Sequence, residues 1–184
     1  MTRPSATTRF ARCLALTALV VIAIDQISKA IVVRTIGQGE SVPVIDGLLR
    51  FVHYRNPGIA GGHLADAPTA AIVALTTASL VGLLLLVRSL GPRKLLWLPA
   101  GLLLGGGLGN LLDRVRTGAV TDFIVFRDSG PANLADQAIT VGIVGLLIVA
   151  WFTRPARAPQ EPVPAGATGT AEPAPAGAVG PPER

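Results

Sequence analysis

Apolar residues in this chain gather in blocks instead of alternating with polar ones, at 13–24 with a resumption at 30–33, 69–87, 95–112 and 138–152. A bilayer-spanning helix needs roughly 20 mostly apolar residues, and each block approaches that length with its flanks. The pattern predicts four spans, over 13–35, 69–88, 95–113 and 134–153. Pro68 suits the first turn of the second span, and Trp97 suits an interfacial anchor at the start of the third. Gly101, Gly105, Gly106, Gly107 and Gly109 thin the far half of the third span, so that neighbouring helix backbones can approach closely in lipid.

Between the blocks, residues 36–67 form a first long loop. Val42, Val44, Leu48, Phe51 and Val52 among glycines and prolines suggest short strands or an interfacial patch there. Residues 114–132 form a second loop, whose 123–126 stretch is apolar enough to dip into the interface. Residues 1–12 carry Arg3, Arg9 and Arg12 and no acid. A basic head before an apolar stretch is also how a secretory leader begins. Here no small-residue cleavage site follows; Asp25, Gln26, Ser28 and Lys29 do, so the first span is expected to be retained. From residue 154 the chain is Pro, Ala and Gly with almost nothing large and apolar, which predicts a disordered tail over 154–184.

Charge changes the picture in one respect. The formal net charge of +5 comes with no basic stripe interleaved with aromatics, so nucleic-acid binding is not expected. Basic residues instead report topology. The short connection between the second and third spans holds Arg88, Arg93 and Lys94 and no acid. All eight acids ahead of the tail fall on the other side of the membrane or at its edge. Cytoplasmic loops are the basic ones, which puts both termini in the cytoplasm and the acids outside. Cys13 is the only cysteine, excluding an intrachain disulfide and any multi-cysteine metal site. His53 and His63 match no common zinc spacing, and no metal is expected.

The candidate chemistry lies between Gly105 and Asp136, where Asp113, Asp122, Asp136, Asn110, Asn133 and Arg114 sit between two apolar blocks. Ionisable groups at the edge of hydrocarbon are costly and mark a functional site. Asn110 and Asp113 are three apart and share a helix face, and Asn133 and Asp136 do likewise at the start of the last span. Asn133 and Asp136 also have capping-box spacing. Asp25 and Lys29, four apart, can pair on one helix face; the plain alternative is an ion pair snorkelling near the membrane edge. Each acid has such an alternative: Asp113 pairing with Arg114, Asp136 serving only as a cap, Asp122 only as a solvated loop residue. Two carboxylates meeting over a water would share one proton, which is the arrangement that hydrolyses an amide without a metal or a covalent intermediate.

Five segments together, Asp25-Gln-Ile-Ser-Lys29, Asn56-x-Gly58-x-Ala60, Gly106-x-x-Gly109-Asn110-Leu-Leu-Asp113-Arg114, Val120-x-Asp122-Phe123 and Asn133-Leu-Ala-Asp136, resemble the bacterial lipoprotein signal peptidase (signal peptidase II) family over residues 13 to 152. The resemblance implies an all-α membrane protein, a four-transmembrane-helix bundle with a small extracytoplasmic β-cradle, in the bacterial cell membrane. It implies an aspartic endopeptidase needing no cofactor. Its substrate would be a prolipoprotein cut just before a cysteine carrying diacylglycerol, with membrane lipid as the other partner and the enzyme a monomer. It implies Asp122 and Asp136 as the catalytic pair, with Asp25, Lys29, Asn56, Gly109, Asn110, Asp113, Arg114 and Asn133 shaping the site or holding substrate. Gly61 and Ala132 stand where the family usually has Phe, removing apolar bulk near the substrate groove. Two other classes compete. An ion-translocating subunit would carry acids near the midplane of several spans, and a non-catalytic assembly protein would account for the glycines but not the acids.

Overall fold

A computed structural model describes residues 5–58, 63–91 and 95–152. Its helices are α1 (Ala6–Thr35), α2 (Thr69–Leu90), α3 (Trp97–Thr117) and α4 (Leu134–Phe152), and its strands are β1 (Ser41–Ile45), β2 (Leu49–Asn56) and β3 (Val120–Phe126). The expected tail and the Gly61 departure lie outside the described residues.

The first helix begins earlier than the apolar pattern indicates. Ser5 caps it by accepting from the Thr8 N–H at 3.1 Å, so residues 6–12, expected as a separate head, form its first turns. The third helix runs a turn past its expected end and stops at Gly118, whose φ of 77° suits glycine. Asp113 and Arg114 are therefore inside a helix and not at a loop entrance.

The helix α3 is the centre of the bundle, in contact with α1, α2 and α4. Helices α1, α2 and α4 are long and apolar enough to cross a membrane, and α3 is not. Its 21 residues give a length of roughly 31 Å at 1.5 Å per residue, so the deficit is in composition. Glycines, Asn110, Asp113 and Arg114 are buried against the other helices, where lipid-like side chains are not required. The outer helices supply the opposite: Leu16, Leu19 and Ile27 on α1, Leu84 and Leu85 on α2, and Val141 and Leu147 on α4 are all largely exposed. A protein with polar residues inside and large aliphatics outside is built for a hydrocarbon solvent.

The α3 glycines do set the packing distances. A Cβ on Gly101 or Gly105 would strike α1 at Thr17 or at Ala18 and Val21, and one on Gly106 would lie 2.5 Å from the Ala135 carbonyl oxygen of α4. Gly106→Ala is expected to lower stability by about 1–3 kcal/mol, as overpacking does, whereas Gly82→Ala on α2, with open space around it, should leave stability unchanged or slightly raised. Thermal unfolding of the two variants in detergent checks the contrast.

The strands form one antiparallel sheet in the order β1-β2-β3. It rests on the ends of α1 and α3, which places it at one end of the bundle. The stretch 123–126, expected at the interface, is instead part of β3. Phe123 is buried with Val32 of α1 and Ile36 just after it, its ring 6.2 Å from that of Phe51, while Phe126 stays exposed. His53 is likewise no exposed loop histidine: it is buried in β2 with Nδ1 at 2.9 Å from the Ile36 carbonyl oxygen.

Candidate active site

Where α3 ends, α4 begins and β2 meets β3, the polar residues converge. Register brings the first two together: Asn56 pairs with Val120 and Tyr54 with Asp122, so Asn56 and Asp122 are diagonal neighbours on one sheet face. The Asn56 amide is oriented by its own turn, since Oδ1 accepts from the Gly58 N–H at 2.9 Å. Its Nδ2 then donates to Asp122 Oδ2 at 2.8 Å. The other oxygen, Oδ1, accepts from Asn133 Nδ2 at 2.6 Å.

Asn133 also forms the capping box that its spacing predicts. Its Oδ1 accepts from the Asp136 N–H at 2.9 Å, and its own N–H donates to Asp136 Oδ2 at 3.3 Å. One asparagine thus holds both carboxylates, one by its side chain and one by its backbone. Asp136 is more than a cap, because Oδ1 accepts from Asn110 Nδ2 at 2.8 Å. Asp122 is no solvated loop acid: it is 1% exposed. Burial pushes its carboxyl up to about 6, against the pull of the Asn56 and Asn133 hydrogen bonds, with the Asp136 charge adding to the rise and Lys29 opposing it.

Behind this pair lies a buried ionic layer. Lys29 Nζ reaches Asp25 Oδ2 at 2.8 Å, Asp113 Oδ2 at 2.9 Å and Asn110 Oδ1 at 3.0 Å, which uses all three of its protons. The Asp25–Lys29 pair is buried, so it does not snorkel. Since an ammonium only donates, Asn110 must turn Oδ1 to Lys29 and Nδ2 to Asp136. Asp113 pairs with Lys29 and not with Arg114; residues adjacent on a helix point apart. Asp25 Oδ1 accepts from the Ala135 N–H at 3.0 Å, tying α1 to the first turn of α4. Gly109 makes room for it, since a Cβ there would lie 2.8 Å from Asp25 Oδ2.

Gln26 belongs to the same layer and was not singled out from sequence. Its Nε2 donates to Asp113 Oδ1 at 2.9 Å and lies within 3.3 Å of Asp25 Oδ2 and the Gly109 carbonyl oxygen, while Oε1 accepts from Arg116 at 3.2 Å. The available signal was its place three residues before Lys29, on the same helix face.

Arg114 donates to the Gly58 carbonyl oxygen at 2.6 Å and to that of Asn110 at 3.3 Å. Its Nε–H is buried without a partner among the described residues. Arg114 lines a cavity of about 500 Å³ together with Asn110, Asp136, Ala132 and Thr76. A second, apolar cavity of about 360 Å³ between α2, α3 and α4 shares Thr76, Gly107 and Ile139 with it, and adds Leu75, Leu80, Leu83 and Leu103.

The fold has counterparts among solved structures. Two structures of a bacterial membrane enzyme determined by the in meso method, at 2.3 and 1.9 Å resolution, superpose with TM-scores of 0.70 and 0.69. They are 28% and 30% identical to this chain, and the matches cover 78% and 77% of it and 94% of each counterpart. Polar residues enclosed by outward-facing aliphatic helices, on this fold, define a bacterial membrane enzyme. The sequence profile described as signal peptidase (SPase) II matches residues 17–152. The lipoprotein signal peptidase of Moorella thermoacetica is 41% identical over 155 residues, covering 84% of this chain and 95% of that protein. That of Anoxybacillus flavithermus is 38% identical over 141 residues, covering 74% and 83%. The chain belongs to the signal peptidase II family.

Proposed function

We propose that this protein is a membrane aspartic endopeptidase that removes the signal peptide from prolipoproteins, cutting on the N-terminal side of the diacylglyceryl-modified cysteine. The observation that carries the reading is Asn133 holding Asp122 at 2.6 Å and Asp136 at 3.3 Å. Asp122, whose carboxyl is pushed up to about 6, carries the proton that the pair shares. Asp136 faces donors at both oxygens and acts as the base. It takes a proton from a water whose oxygen attacks the scissile carbonyl carbon, while Asp122 gives its proton to the carbonyl oxygen. The proton on Asp136 then passes to the leaving nitrogen, the C–N bond breaks, and Asp122 recovers its proton as the carbonyl re-forms. No step calls for a metal.

Asn56, Asn133 and Asn110 position the pair, and Lys29, Asp25, Asp113 and Gly109 fix Asn110 and the start of α4. Arg114 offers its Nε–H, unpartnered among the described residues, to a substrate carbonyl or a lipid phosphate. The apolar cavity between α2 and α4 opens beside the polar one and suits the acyl chains or signal helix of a substrate still in the bilayer. Ala132, on the wall of the polar cavity, leaves that wall open where a larger side chain would narrow it. All four helices cross the membrane, with α3 carried by the others. The sheet and site lie on the outer face, both termini are cytoplasmic, and the protein works as a monomer.

The test is cleavage of a diacylglyceryl-modified prolipoprotein by the purified protein in lipid. Mass spectrometry should find a product beginning at the modified cysteine, with undiminished yield in excess chelator. Loss of cleavage on chelation, or equal cutting of the unmodified precursor, would overturn the mechanism or the substrate assignment respectively.

A further inference from the structure

On another face of α3, a separate cavity of about 320 Å³ opens between α1 and α3 under β3. It is lined by Lys29, Arg34 and Arg116 with Asp113 as the facing acid, and by Ala30 and Val33 among its apolar walls. Lys29 is saturated by Asp25, Asp113 and Asn110, so it brings no free proton to the cavity. Arg34 has no hydrogen bond or ion pair among the described residues, and Arg116 uses only one N–H, toward Gln26 Oε1. The two guanidiniums, both exposed, border one hollow with most of their donors unpartnered among the described residues.

Cations in the last turns of α1 and α3 complement the partial negative charge at those helix ends. That accounts for one arginine on each helix, but not for both lining a single cavity. Neither guanidinium has a carboxylate partner among the described residues, the ion pairs of Asp25 and Asp113 both going to Lys29. Two full charges also exceed the roughly half-charge of each helix end. The cavity thus attracts an anion with several acceptor oxygens, and guanidinium forks match phosphate. In the orientation proposed above it lies where the apolar lengths of α1 and α3 finish, at headgroup depth, and Ile31 and Ile27 are exposed one and two turns back from Arg34 along α1. An anion with acyl chains satisfies both the donors and these aliphatic neighbours.

We propose that the α1–α3 cavity binds the phosphate headgroup of an anionic phospholipid through Arg34 and Arg116, apart from the substrate cavity. The proposal rests on the membrane location and on the orientation given above, and not on the Asp122–Asp136 chemistry, so it is tested by binding alone. Native mass spectrometry of the full-length protein in detergent, titrated with phosphatidylglycerol, phosphatidylcholine or inorganic phosphate, reads it directly. The wild type should retain phosphatidylglycerol in preference to phosphatidylcholine. The R34Q/R116Q double variant should lose at least about tenfold in affinity, the scale of a lost charge-assisted hydrogen bond. R34Q alone, which breaks no described contact, should weaken binding in the same direction and covers the case of a misfolded double variant. R50Q/R127Q, altering arginines beside a different cavity on the sheet, should bind as the wild type does. Equal retention by the wild type and both cavity variants overturns the site. Equal retention of the two lipids, or displacement of the lipid by an equal concentration of inorganic phosphate, overturns its assignment to an anionic phospholipid.

Discussion

Asp122→Asn and Asp136→Asn should each remain folded and inserted and lose at least about a thousandfold in prolipoprotein cleavage, within the range general acid–base groups contribute. Asparagine keeps the shape and much of the hydrogen bonding around each site but can neither supply nor accept the transferred proton. Turnover within tenfold of wild type for either variant would remove that residue from the pair. The pH dependence carries a sign. The pair needs one proton, so activity should fall as pH rises through the value that burial gives Asp122, about 6. The Asn56 hydrogen bond favours the ionised form and holds that value down. Asn56→Ala should therefore move the alkaline limb to higher pH, whatever it does to the maximal rate. A limb that stays in place or moves down would contradict the assignment of the shared proton to Asp122.

Lys29→Met should have the largest effect on stability of any single change in the polar layer. It leaves Asp25 and Asp113 buried without their shared cation, and breaking a buried pair in this way costs about 3–5 kcal/mol. Adding Asp113→Asn should restore part of the loss, because one of the two stranded charges is gone. Arg55→Ala, by contrast, removes an exposed contact to the Thr117 carbonyl oxygen and should cost little. Thermal unfolding of the four proteins in one detergent provides the comparison. A loss for Lys29→Met no larger than for Arg55→Ala, or no recovery in the double variant, would mean that the layer is not held by Lys29.

Some of this architecture could be read along the chain because its causes are local. Apolar blocks and lengths locate the helices to within a few residues, apart from the early start of α1, which the Ser5 cap sets ahead of the apolar pattern. The Asn133–Asp136 box, the Asp25–Lys29 spacing and the close packing of the α3 glycines all follow from helix geometry. What stayed hidden depends on partners distant in sequence. Nothing near Asp113 says that its cation is Lys29 of α1 and not its neighbour Arg114. Phe123 reads as interfacial until β3 pairs with β2 and turns it onto Val32 and Ile36. Gln26 acquires its place only when Asp113 and Gly109 arrive from α3. Local spacing also left Asp122 and Asp113 equal as candidates. In three dimensions their surroundings differ, Asp113 meeting a lysine and Asp122 two asparagine amides.

The composition of α3 bears on how the molecule is made. Less apolar than its neighbours, this segment gains from companions that shield Asn110, Asp113 and Arg114. Its insertion is then coupled to packing, and the polar cluster, which draws on α1, α3, both paired strands β2 and β3, and α4, is complete only once all of them have come together.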